Sequence, residues 1–84
     1  MLMPRRSKDQ VIASILGTCQ GDGVNKTKVV YHGYLNFQAA NRYLELLIKN
    51  GLLEVASGKS PIYKTTQKGE EALKILKVLE AIYS

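Results

Sequence analysis

Two short helical patterns lie end to end between Asn25 and Gly51, each opened by an asparagine, with only a couple of residues between them. A junction that short is typical of two helices joined by one tight turn. It constrains the chain more than its length or composition does.

The first pattern of the pair carries Val29 and Val30 inward and ends near Gly33. The second starts at Asn36, whose side chain can accept a hydrogen bond from the N–H groups of a first helical turn. Phe37, Ala40, Leu44, Leu47 and Ile48 then recur so that, at about 100° per residue, they share one side of the helix. Gln38, Arg42, Glu45 and Lys49 occupy the other side, and Gly51 supplies the left-handed residue that commonly ends a helix. The layout is that of a helix-turn-helix. Its outer face suits duplex DNA, because Gln pairs in bidentate fashion with adenine and Arg with guanine. A solvated face with no partner is the plain alternative.

A chain of 84 residues forms one domain, 1–84, whose core is marginal unless a staple, a metal or a second subunit supplements it. Cys19 is the single cysteine and His32 the single histidine, so no internal disulfide and no ordinary zinc site can be assembled. Cys19 shares an apolar helical spacing with Val11, Ile12, Ile15 and Leu16, which reads as a buried small hydrophobe. Oligomerisation is then the expected supplement. No nucleophile, base and orienting group can be proposed together, and there is no phosphate-binding glycine motif. The sequence therefore points to a non-enzyme without a cofactor, a metal or a small-molecule ligand.

The net charge of +5 is unevenly placed. Arg5, Arg6 and Lys8 at one end, and Lys59, Lys64 and Lys68 between residues 57 and 68, stand in windows without a single acid. Positive charge confined to a tail and a hairpin is the footprint expected for polyanion contact. No run approaches the roughly eighteen apolar residues that cross a bilayer, and no apolar stretch follows the basic amino terminus. The expectation is a cytoplasmic, nucleoid-associated protein that does not enter a membrane.

Along the chain, Ser7 and Gln10 fit a capping box that opens a helix over 7–20. Gly21, Asp22 and Gly23 make a turn, and Val24 could be a very short strand beside the later hairpin. The helix-turn-helix occupies 25–33 and 36–50, the latter as recognition helix. Residues 52–65 read as two strands around the polar turn Ser57-Gly58-Lys59-Ser60, with Pro61 tolerable only at a strand start or on an edge. Helix, glycine, strand, basic turn, strand is the pattern of a wing. Thr66 caps a last helix over 66–83. Its apolar residues Ala72, Ile75, Leu76, Val78, Leu79, Ile82 and Tyr83 cover roughly 160°, too wide for one contact surface. Part of that stripe should pack on the domain and the rest needs another partner.

Several runs resemble archaeal winged-helix DNA-binding proteins, typified by the Sulfolobus 10-kDa chromatin-associated family and its small predicted-regulator relatives. They are Lys26-Thr27-Lys28-Val29-Val30-Tyr31, Leu35-Asn36-Phe37, Tyr43-Leu44-Glu45-Leu46-Leu47, Lys49-Asn50-Gly51-Leu52-Leu53 and Tyr63-Lys64-Thr65-Thr66-Gln67-Lys68-Gly69. The resemblance covers nearly the whole chain. It implies an α+β, mainly helical winged helix-turn-helix that forms a homodimer through its last helix and presents recognition helices and wings to double-stranded DNA. Here the last helix is shorter than the long coiled coil common in that group, which leaves dimer geometry open.

The candidate DNA contacts are Arg5, Arg6, Lys26, Thr27, Lys28, Asn36, Gln38, Ala39, Arg42 and Lys59. Lys26, Thr27 and Lys28 stand where a helix amino terminus can meet a phosphate, or are ordinary helix-start residues. Lys59 at a slim wing tip favours groove or backbone contact over a mere guard against edge aggregation. Arg5 and Arg6 are either an arm that adds nonspecific affinity or a solvated terminus. The five tyrosines are spaced for core or interface packing rather than base stacking, except Tyr34, which sits in the turn and could face a phosphate. The candidate dimer interface is Ala72, Ile75, Leu76, Leu79, Ile82 and Tyr83, with Leu76 and Leu79 at the seam. Three readings follow: a regulator acting by promoter occlusion, an architectural protein that coats DNA, and a protein-interaction module whose basic charge is incidental.

Overall fold

A computed structural model describes residues 7–83 of the chain. Four helices and one hairpin follow in the order α1 (Lys8–Thr18), α2 (Lys26–Gly33), α3 (Phe37–Lys49), β1 (Leu53–Ala56), β2 (Ile62–Thr65) and α4 (Gln67–Tyr83). The architecture is the winged helix-turn-helix expected from the sequence.

Local chemistry sets the helix starts. The Ser7 hydroxyl accepts the Gln10 N–H at 3.1 Å while the Gln10 side chain accepts the Ser7 N–H at 2.8 Å, a reciprocal cap for α1. Asn25 and Asn36 do the same work singly, accepting the N–H groups of Lys28 at 2.9 Å and Ala39 at 2.7 Å. Between α2 and α3 the left-handed residue is Tyr34 (φ 51°), while Gly33 stays inside the helix, so the turn carries strain that a glycine one position later would relieve. Gly51, at φ 74°, ends α3.

Leu16, Cys19, Val29, Leu44, Leu47 and Leu53 meet in the core, so every element before the wing tip contributes to it. The hairpin pairs antiparallel with Leu53 opposite Thr65, Glu54 opposite Lys64, Val55 opposite Tyr63 and Ala56 opposite Ile62. Period-two alternation turns Leu53, Tyr63 and Thr65 inward and leaves the oppositely charged pair Glu54 and Lys64 outside. Val24 adds a single-residue bridge, exchanging backbone bonds of 2.9 and 2.7 Å with Tyr63. Thr65 fastens the sheet to the end of α1. Its N–H donates to the Cys19 carbonyl at 3.0 Å and its hydroxyl to the Leu16 carbonyl at 2.6 Å. These bonds satisfy carbonyls that a helix C-terminus otherwise leaves without partners.

A second joint ties α3 to α4. The Thr66 hydroxyl accepts the Gly69 N–H at 3.0 Å and donates to the Gly51 carbonyl at 2.6 Å, while the Lys68 ammonium donates to the Asn50 carbonyl at 3.0 Å. Gly69 permits this closeness. A Cβ there would overlap the Leu52 carbonyl oxygen and stand 2.7 Å from Thr65 Cγ2. The direction of α4 is thereby fixed relative to α3.

Two expectations about packing need correction. Phe37, placed by its spacing among the inward residues of α3, is 56% exposed, because it stands at the first position of the helix, ahead of the buried Ala40, and lines an open groove rather than the core. Tyr31, expected to pack, is an exposed residue at the end of α2, whereas Tyr43 and Tyr63 do pack on the core.

Candidate nucleic-acid interface

The start of α2, the start of α3 and the wing converge on one groove. Asn25, Lys26, Thr27, Phe37, Lys59 and Ser60 line it, with Pro61 and Tyr63 forming its wing side. Sequence positions more than thirty apart thus present two ammonium groups and a threonine around one concavity, and no acid is among its lining residues. Two cations around a low-dielectric wall concentrate positive potential there. Helix α2 adds the positive end of its dipole, since its amino terminus forms one side.

The sequence candidates separate into groups. Lys26, Thr27 and Lys59 share the groove. Lys28 is exposed on α2, and Gln38 and Arg42 are exposed one turn apart on α3, outside the groove lining. That spacing aligns Gln38 and Arg42 along one row of the helix surface. Asn36 and Ala39 are engaged with each other, since the Asn36 carboxamide oxygen holds the Ala39 N–H. Asn36 thus orients the first turn of α3, and Ala39 is half-buried. Arg5 and Arg6 lie outside the described residues. Tyr34 is fully open to solvent in the turn.

The groove-lining residues that sequence reasoning did not name as contacts are Asn25, Phe37, Ser60, Pro61 and Tyr63. The available signal for Phe37 was its place at the very first position of α3, a full turn before Ala40, where a side chain projects past the end of the core stripe. Ser60 was legible as part of the wing turn beside Lys59, but that the turn meets the start of α2 depends on where the wing folds.

On α4 the broad stripe is divided. Leu73 is buried, and Ala72 and Leu76 pack against the core. Ile75, Val78, Leu79 and Ile82 face solvent over an arc of about 100°. Of the expected seam pair, Leu76 therefore faces inward and only Leu79 belongs to the open strip. The side chain of Tyr83 lies outside the described part of the chain. Cys19 is fully buried, and loss of hydration pushes its thiol from 9.0 up to about 11. Among the described residues no group of three or more His, Cys, Asp or Glu side chains is arranged to hold a metal ion, and no helix is long and apolar enough to cross a membrane.

A helix-turn-helix followed at once by a basic, antiparallel hairpin, with the hairpin and both helix starts around one groove, defines the winged-helix class. The chain belongs to the winged helix-turn-helix family, whose model matches residues 5–83. It is similar to Sso10a-2, a DNA-binding protein of Sulfolobus solfataricus, with 26% identity, 93% of this chain and 82% of that one covered, and a TM-score of 0.86. The resemblance read from the sequence pointed to that same Sulfolobus group. A possible HxlR family transcriptional factor of Thermoplasma volcanium is also similar, at 26% identity, 89% and 70% coverage and a TM-score of 0.71. A MarR family transcriptional regulator of Rhodococcus sp. RHA1 shares the fold at 19% identity and a TM-score of 0.74; 81% of this chain matches 51% of that one, about half its length. No curated protein sequence matches the chain.

Proposed function

We propose that this protein binds duplex DNA as a homodimer and acts as a transcriptional regulator by occluding promoters, without catalysis or a cofactor. The observation that carries the reading is the shared groove, where Lys26 and Thr27 at a helix start and Lys59 at the wing tip surround the first turn of α3. In this arrangement α3 enters the major groove with Gln38 and Arg42 toward base edges. Lys26 and Lys28 take phosphates at the amino end of α2, and Lys59 takes the neighbouring backbone. Arg5 and Arg6 add nonspecific attraction.

The open strip on α4 supports the dimer, since a contiguous exposed apolar patch rimmed by charge commonly marks an interface. Thr66 and Lys68 hold α4 against the end of α3, so pairing two α4 helices also sets the spacing of two α3 helices. A dimer that reads two half-sites needs its reading helices one helical turn of DNA, or a multiple, apart. In this reading occupancy of a site is the mechanism. Such a protein works in the cytoplasm, on the nucleoid.

The test is a salt titration of binding to a labelled duplex, in which several phosphate contacts give a steep linear fall of log affinity with log salt. A flat salt dependence would favour the protein-interaction reading. Similarity to a Sulfolobus protein described as DNA-binding, rather than as a regulator, favours a second reading as an architectural coat. Competition with random-sequence DNA separates the two, because a regulator keeps its preferred duplex and a coating protein does not.

A further inference from the structure

We propose that Phe37 is a base-reading residue whose ring packs on the C5-methyl group of thymine in the major groove, so that the protein prefers thymine at that step of its site. The inference rests on the duplex-DNA reading above and names a chemical preference within it. Phe37 occupies the same helical row as Ala40, Leu44 and Leu47, all of which are buried, yet its ring stays more than half open. The wing does not close over it. It lines instead the groove that Lys26 and Thr27 of α2 and Lys59 and Ser60 of the wing also line.

Two ammonium groups that share a groove with a half-open phenyl ring suit a ligand that is anionic at its edges and offers an apolar spot between them. Duplex DNA has that form: phosphates along the backbone and, among base edges in the major groove, only the thymine methyl as an apolar partner. A phenyl ring can make no hydrogen bond, so it contributes discrimination through that methyl alone. The ring is also well placed to read. Asn36 caps the turn through the Ala39 N–H at 2.7 Å, fixing the backbone from which Phe37 projects. Tyr31 and Tyr34, the other widely exposed aromatics among the described residues, are not among the residues lining the groove.

The experiment compares binding of the whole protein to an alternating dA·dT duplex and to its deoxyuridine counterpart, which differs only by the methyl groups. Wild type should bind the thymine duplex at least roughly fourfold more tightly, the value of burying one methyl-sized group. Phe37→Ala should still bind both duplexes and lose the difference. Its circular dichroism should match wild type, since the ring it removes is largely solvated. Lys59→Ala should weaken both duplexes by a similar factor and keep the ratio. Equal wild-type affinity for the two duplexes, or a preference that survives in Phe37→Ala, overturns the inference while DNA binding stands. Absence of binding to either duplex at low salt overturns the DNA reading and this inference with it.

Discussion

The two faces of α4 should respond in opposite ways to the same substitution. Ile75, Val78, Leu79 and Ile82 remain 62%, 60%, 40% and 68% exposed, whereas Leu76 packs against the core. Fully burying such a side chain is worth about 1.5–3 kcal/mol, so covering what remains open on each of the four contributes roughly 1–2 kcal/mol. In the proposed dimer both copies would contribute across a two-fold interface, giving roughly 8–16 kcal/mol against an association cost of about 4–15 kcal/mol. The two terms are of similar size, so the proposed α4 dimer is one that a few charges suffice to break. Ile75→Lys combined with Ile82→Lys should give monomers at micromolar concentration, because pairing would desolvate four ammonium groups. Folding itself should change by only about ±0.5 kcal/mol per site, as at other solvated positions. Leu76→Lys should instead cost about 1–3 kcal/mol of folding, below the range for a fully buried aliphatic side chain because Leu76 is half-buried. Sedimentation equilibrium reads the mass. Thermal unfolding, compared with wild type at a dilution where it too is monomeric, reads the fold. Wild type that sediments as a monomer at high concentration would refute the argument, as would a double variant that remains dimeric.

Lys59→Ala should make the salt slope of DNA binding shallower by about one unit on every duplex, while Arg42→Ala should cost about 1–3 kcal/mol on a preferred sequence and little on others. Binding isotherms at several salt concentrations distinguish the two. Gly69→Ala should lower stability by about 1–3 kcal/mol through overpacking against the Leu52 carbonyl, opposite in sign to the gain expected for Ala in an exposed helix. Chemical denaturation measures it. Cys19 keeps its proton in the folded state up to about 11 and loses it near 9.0 when unfolded, so its contribution is complete below pH 9.0 and declines as pH rises toward 11. Alkylation at neutral pH should accordingly be slow in the folded protein and fast in denaturant.

The amino-acid sequence by itself determined those features whose partners lie within a few residues. Ser7 with Gln10, Asn25 with Lys28 and Asn36 with Ala39 are caps three residues apart, so residue type and spacing suffice to read them. Gly51 and the alternation of the wing strands are legible for the same reason. Charge placement, too, was visible in the chain as a basic, acid-free wing, although its meeting with Lys26 and Thr27 was not.

Tertiary structure alone decided which apolar residues are covered. The period of α4 marks a stripe, but only the positions of α1 and β2 divide it, drawing Leu73 and Leu76 inward and leaving Ile75 and Ile82 open. Phe37 carries the spacing of a core residue and is exposed because the wing tip stops short of closing over it. Gly69 has an ordinary helical position whose meaning comes from Leu52, seventeen residues away in sequence and in contact in space. Hydrogen bonds at the helix amino termini are settled by near neighbours in sequence, whereas burial, and the carbonyls that Thr65, Thr66 and Lys68 satisfy at the ends of α1 and α3, are settled by whichever distant element arrives.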